Sequence, residues 1–407
     1  MKVMKFGGTS LANWSRFSMA ADIIAESSVT EPVATVLSAP ATITNALLEM
    51  VDLAVSQQNY QSVLDHINHV FNSLFSEASA SLLSVEQYAL LSGKLAAQMS
   101  VWQGKLNGIT LLGECPDSVR AQIVVTGERL SAALMEQVML AKGLTSAQLD
   151  PVALFLGQGQ PLESVVDIGV SKPRFALLPL DKHRVWVMPG FTAADAHGNV
   201  VTLGRNGSDY SAAVLAACLD ASCCEIWTDV DGVYNTDPRV VADAKLLSQL
   251  SYQEAMELSY FGAKVLHPKT IAPIAQYHIP CYIKNSFNPS APGTLVSNEA
   301  DKTGLQVKAI SNLDNQTMFN VSGPGMKGMV GMASRTLAAI SRSGISVSLI
   351  TQSSSEYSIS FCVATHEANK AKWALEQEFE LEIKNELLEP IEQRQDLSIV
   401  SLIGDGM

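Results

Sequence analysis

The first forty residues alternate in a regular way between apolar runs and small or polar turns. Residues 2–6 form a short apolar run that stops at Gly7-Gly8, and apolar residues at helical spacing begin near Asn13. Residues 31–38 (EPVATVLS) and a helix from about Thr44 repeat that order of strand, turn and helix. Strands that read as nearly unbroken apolar runs are those covered on both faces. Residues 60–110 keep helical periodicity with little Gly or Pro. Further on, residues 184–188 and 224–228 predict strands and residues 208–219 a helix. Residues 194–203 predict a hairpin around His197-Gly198-Asn199, and Ser251 with Glu254 makes a capping box that opens another helix. Strands alternating with helices predict an α/β fold with a mostly parallel sheet sandwiched by helices.

At residues 285–304 the composition shifts to Ser, Asn, Pro and Gly, which marks a domain boundary after a last short strand at 294–296. Beyond it the pattern predicts strands at 317–321, 345–350 and 357–363 and helices at 329–342 and 367–379. This βαββα run has the size of a small regulatory module.

Composition narrows the function. The 407 residues are 47% hydrophobic, 6% aromatic and 16% charged, with a formal net charge of −13. So acidic a chain lacks the clustered Lys and Arg that nucleic acid or anionic membranes need. It binds anions only where a few cations and backbone N–H groups gather. The six cysteines (Cys115, Cys218, Cys223, Cys224, Cys281, Cys362) show no CxxC spacing. With no signal-like or membrane-length apolar stretch, they suit a reducing cytoplasm.

Three segments carry candidate chemistry. Lys5 with Gly7, Gly8, Thr9 and Ser10 offers a cation and close backbone approach directly after a strand, an arrangement suited to phosphate. Residues 203–211 (LGRNGSDYS) bring Arg205, able to grip a carboxylate with two hydrogen bonds, to a helix start that also holds Ser208 and Asp209. Trp227-Thr228-Asp229-Val230-Asp231-Gly232 closes a strand at the sheet edge where α/β sheets bind ligands, although Asp231-Gly232 serves equally as a turn. Neither Gly93-Lys94 nor Gly104-Lys105 is a Walker A loop, because Leu follows each.

The segments KFGGTS, LSAPATITN, GRNGSDYS, WTDVDGVYNTDPR and GAKVLHP occur in the order and approximate spacing of aspartate kinases, whose fold is that of the amino acid kinases. This resemblance covers residues 1 to about 297. The following stretch, with SGPGMKGMVG and LITQSSSEYSISF, resembles the ACT module of threonine-sensitive bifunctional aspartokinase–homoserine dehydrogenases. The resemblance implies a catalytic domain over 1–297, an ACT domain over 308–395 and the start of a second, truncated ACT unit over 396–407. It implies transfer of the ATP γ-phosphoryl group to the β-carboxylate of L-aspartate, with Mg²⁺, as the first step towards threonine, methionine and lysine. Feedback by threonine, homo-oligomers through ACT modules and an absence of homoserine dehydrogenase activity in this chain are further implications.

By matched motif, Lys5 and Lys264 would contact the ATP phosphates and the transferring group, and Asp209 would orient them. Ser38, Thr44, Glu128, Arg205 and Ser208 would hold aspartate, with Arg205 on its α-carboxylate and Glu128 on its α-ammonium. Thr228, Asp229, Tyr234 and Arg239, together with Gly7 and Gly8, would border the nucleotide. Ser348 and Gln352 would meet the effector. No metal ligand is assigned. A related kinase of another carboxylate, such as acetylglutamate, and an inert amino-acid-binding regulator are the competing readings. The literal GxGxxG at residues 323–328 is read as an ACT loop, since no acidic ribose partner follows it, and His66 with His69 as a solvated helix face.

Overall fold

The computed structural model describes residues 1–261, 266–299, 307–354 and 357–404. Contacts divide the chain into two compact units, the first built mainly from residues 1–308 and the second mainly from residues 309–403.

In the first unit the N-terminal half runs β1 (Lys2–Phe6), α1 (Trp14–Thr30), β2 (Val33–Leu37), α2 (Ile43–Val55), α3 (Gln61–Ser81), α4 (Val85–Leu112), α5 (Asp117–Val124) and α6 (Thr126–Ala141). It continues with β3 (Ser146–Gln148), β4 (Val185–Pro189), β5 (Thr192–Ala194), β6 (Val200–Thr202), α7 (Gly207–Leu219) and β7 (Cys224–Thr228). It closes with β8 (Gln249–Ser251), α8 (Tyr252–Tyr260), α9 (Pro268–Gln276), β9 (Cys281–Asn285) and β10 (Thr294–Ser297). Eight of these strands form one sheet in the order β8-β10-β9-β7-β1-β2-β4-β3, parallel throughout except for β9 against β10. The unbroken burial of β2 and β4 follows from cover on both faces. Alanine-rich α7 is buried along most of its length, because small side chains let a helix lie close against a sheet.

The long helical stretch at 60–110 is two helices. The chain breaks at Leu82, and Ser84 restarts it with a capping box: its hydroxyl accepts from the Gln87 N–H at 3.3 Å, while the Gln87 side chain accepts from the Ser84 N–H at 2.9 Å. Beneath α3 and α4 lies the core around Phe6, Phe17, Phe71, Phe75 and Trp102. No helix among the described residues is long and apolar enough to cross a membrane.

The second unit runs β11 (Ala309–Ser322), α10 (Met332–Arg342), β12 (Leu349–Gln352), β13 (Ser358–Ala364), α11 (Ala368–Glu378) and β14 (Glu392–Ile403). Its antiparallel sheet has the order β12-β13-β11-β14, the βαββαβ arrangement of ferredoxin-like folds. Three expectations shift here. The helix starts at Met332 instead of 329, because Gly331 takes a left-handed φ of 97° that a helix cannot contain. The strand expected at 345–350 pairs only from Leu349, opposite Cys362. β11 begins at Ala309, eight residues before the expected strand, and carries the ladder to β14. That ladder changes register twice, between Leu313 and Gln316 beside Asn315 and between Gln316 and Met318 opposite Asp396, and both Asn315 and Asp396 have positive φ. The boundary expected at 395/396 falls in this kinked stretch. The glycines of the GxGxxG segment answer to packing: a Cβ on Gly323 would stand 2.6 Å from the Leu387 carbonyl oxygen.

Candidate active site

β1 lies between β2 and β7 with Lys5 in register with Val36 and Ile226, so its side chain leaves the sheet centre near the carboxyl end. Lys5 is buried, and its Nζ lies 2.5 Å from Oδ1 of Asp209 in the first turn of α7. A buried pair of this kind is weak evidence for stability, since desolvation offsets most of the attraction. It is better evidence for a cation held where an anion will arrive. The turn after β1 packs on the turn after β2: the Ala41 N–H donates to the Gly8 carbonyl at 3.0 Å. A Cβ on Gly8 would sit 2.9 Å from the Ala39 carbonyl oxygen, so only glycine fits.

These turns floor a cleft of about 630 Å³. It gathers eight of the expected residues: Lys5, Gly8, Ser38, Thr44, Glu128, Arg205, Ser208 and Asp209. Asn45, Arg120, Glu163 and Phe191 also line it and were not anticipated. Arg120 had no motif to mark it; its Nη1 pairs with Asp52 at 2.7 Å. Three residues on the cleft wall, Thr42 (φ 74°), Phe191 (φ 66°) and Asn206 (φ 56°), adopt left-handed backbone. For a β-branched or aromatic residue that conformation is strained, and such strain gathers at functional sites.

Glu128, in the first turn of α6, is 3% exposed. Burial pushes its carboxyl up to about 7, against the opposing hydrogen bonds from backbone N–H groups and the Thr44 hydroxyl. Thr44 donates to Oε1 at 3.4 Å, while Oε2 is buried and has no hydrogen-bond partner among the described residues. Across the same cleft Arg205 is exposed on its loop and forms no ion pair among the described residues. One cleft thus offers a carboxylate and a guanidinium, each able to take an opposite charge, beside a buried lysine.

The remaining expected residues lie elsewhere. The Gly7 N–H donates to the Trp227 carbonyl at 3.2 Å, which joins β1 to β7 and removes that amide from phosphate binding. Thr228 and Asp229 end β7, with the Thr228 hydroxyl donating to Asp229 at 3.2 Å. Tyr234 bridges to Leu246, and Arg239 grips Asp237 with two nitrogens, at 3.0 and 2.7 Å, on an exposed loop. None of these four lines the cleft. Asp231 accepts from Asn285 at 2.8 Å and braces the turn. Lys264 lies outside the described residues. Just after it, His267 caps α9 by accepting the Lys269 N–H on Nδ1 at 3.2 Å. In the second unit the Ser348 hydroxyl donates to the buried Gln316 at 2.8 Å, and Gln352 ends β12 exposed.

Comparison with known proteins matches residues 1–285 to the profile of the amino acid kinase family and residues 319–379 to an ACT domain. The whole chain is 52% identical to the bifunctional aspartokinase/homoserine dehydrogenase of Haemophilus influenzae and 43% identical to that of Buchnera aphidicola, covering 50% of each. The chain therefore spans about half the length of these relatives. The lysine-sensitive aspartokinase 3 of Escherichia coli is 30% identical over the whole chain, which covers 87% of it. A crystal structure of Escherichia coli aspartokinase III in complex with aspartate and ADP matches with a TM-score of 0.83 at 29% identity, covering 100% of this chain and 88% of that one.

Proposed function

Because this chain belongs to the aspartokinases of the amino acid kinase family, we propose that it transfers the γ-phosphoryl group of ATP to the β-carboxylate of L-aspartate, giving 4-phospho-L-aspartate. The observation that carries this reading is the unpartnered Glu128 oxygen in one cleft with Arg205 and the Lys5–Asp209 pair. A free amino acid brings an α-ammonium for Glu128 and an α-carboxylate for Arg205. Ser38, Thr44 and Ser208, which line the same cleft, are assigned to hydrogen-bond the rest of the molecule.

The nucleophile needs no base, since an aspartate carboxylate with pKa ~3.9 is ionised at neutral pH. What must be overcome is repulsion between that anion and the phosphates. Lys5, held by Asp209, neutralises charge at the transferring group, and Lys264 is assigned as the second cation. Gly8 borders the phosphates, and Thr228, Asp229, Tyr234 and Arg239 border the rest of the nucleotide. For Arg239 this means leaving Asp237, a small loss for an exposed pair. Mg²⁺ is assigned to the ATP phosphate oxygens, the usual way this ion enters phosphoryl-transfer sites. No step is assigned to a protein ligand of that ion.

The second unit is assigned feedback control by threonine, a product of the pathway this reaction would open alongside methionine and lysine. Gln352 reads the effector side chain and Ser348 lies beside it. Residues 396–407 are assigned to the start of a second ACT unit, and assembly to homo-oligomers through these modules. The direct test is ADP release with Mg-ATP and a panel of acceptors. L-aspartate should support turnover and N-acetylglutamate should not, because an acylated nitrogen has no charge for Glu128. Equal rates with both would remove the assignment.

A further inference from the structure

Lys269 stands in the first turn of α9, where a cation opposes the helix dipole. It is half-buried and forms no ion pair among the described residues, although the Glu163 charge acts on it. Its ammonium instead donates to two backbone carbonyls, Ser164 at 3.0 Å and Leu203 at 2.8 Å, and lies 5.0 Å from the Tyr210 ring centroid. The two carbonyls belong to neighbouring strands of chain, since Glu163 and Leu203 form an antiparallel bridge. Those strands continue directly into the cleft wall through Glu163, Gly204 and Arg205. Tyr210, on the other side of the ammonium, follows Asp209 in α7 and accepts the Val166 N–H at 3.0 Å. Burial lowers the pKa of this ammonium from its ordinary value, and the nearby Glu163 carboxylate opposes that shift.

We propose that Lys269 is a positioning residue for the amino-acid side of the cleft, clamping Ser164 to Leu203 so that the following loop presents Arg205 to the substrate α-carboxylate. The inference rests on the aspartate kinase reading and goes beyond it by tying helix α9, which follows Lys264, to the loop that binds the acceptor. No reacting atom is touched by Lys269 itself. Arginine, with several N–H donors, can reach both carbonyls; methionine keeps the stem and loses the donors.

The test is steady-state kinetics of the whole chain with aspartate and ATP varied separately, for wild type, Lys269→Met, Lys269→Gln and Lys269→Arg. Lys269→Met should raise the aspartate KM about tenfold, as expected for losing charged hydrogen bonds, with the ATP KM within about twofold. Lys269→Gln should fall between, and supplies the same reading if Lys269→Met does not fold. Lys269→Arg should restore the wild-type aspartate KM. If wild type turns over aspartate while both KM values stay level, or rise together without rescue by arginine, the inference is overturned and the function stands. A wild-type chain without aspartate-dependent turnover would remove the function and the inference together.

Discussion

Glu128 carries two opposite consequences of one burial. Its folded carboxyl is raised to about 7 from an ordinary value of 4.5, so the empty protein binds a proton there that the unfolded chain releases at lower pH. The unfolded state binds fewer protons between those values, and this group's contribution to stability therefore falls as pH rises from about 4.5 to 7. The ionised form, present above about 7, is the one that binds an ammonium. The aspartate KM should accordingly rise as pH falls below about 7, and initial rates across pH 6–8.5 will show it. Glu128→Gln should flatten the profile and raise the aspartate KM at every pH. For Lys5, removal of the cation facing the transferring group should lower kcat about 10²- to 10³-fold, as for loss of an oxyanion donor. Lys5→Ala rates at saturating ATP and aspartate measure it. An unchanged kcat with a raised KM would assign Lys5 to binding alone.

At the scale of elements, local signals explain what was readable. Continuous apolar runs locate β1, β2 and β7 to within two residues, and the Ser251/Glu254 capping box marks α8, with both of its reciprocal bonds formed at 3.1 and 2.8 Å. The same kind of signal at Ser84 and Gln87 is hidden inside a long periodic stretch, which reads as helical without showing where one helix ends and the next begins. Replacing Ser84 with alanine should cost about 1 kcal/mol in thermal or urea unfolding, without changing either KM. Site residues were legible where a motif sits at a turn: Lys5, Gly8, Arg205 and Asp209 meet in one cleft. Arg120, Glu163 and Phe191 were not, because each joins the cleft through long-range packing that no local pattern encodes. The Gly7 amide went the other way. A glycine before a helix looks ready for phosphate, but parallel pairing with β7 claims its N–H.

For the whole molecule, the division into two units separates the proposed catalysis from its proposed control. In the second unit Arg335 on α10 reaches to Glu378 at the end of α11 at 2.9 Å and to Glu382 at 2.5 Å, with its guanidinium 4.8 Å from the Phe379 ring centroid. Gln352 lies exposed at the end of β12. Threonine should lower the rate of wild type at subsaturating aspartate, and Gln352→Ala should weaken that response while leaving the uninhibited rate unchanged. Rate against threonine concentration for both proteins checks it. The account as a whole turns on where the phosphoryl group goes, and one measurement addresses that directly: incubation with Mg-ATP, L-aspartate and hydroxylamine, followed by detection of the hydroxamate. The account predicts aspartyl β-hydroxamate in step with ADP release, both lost in Lys5→Ala. ADP release from well-folded protein without hydroxamate would mean that the cleft does not deliver phosphate to a carboxylate, and would contradict it.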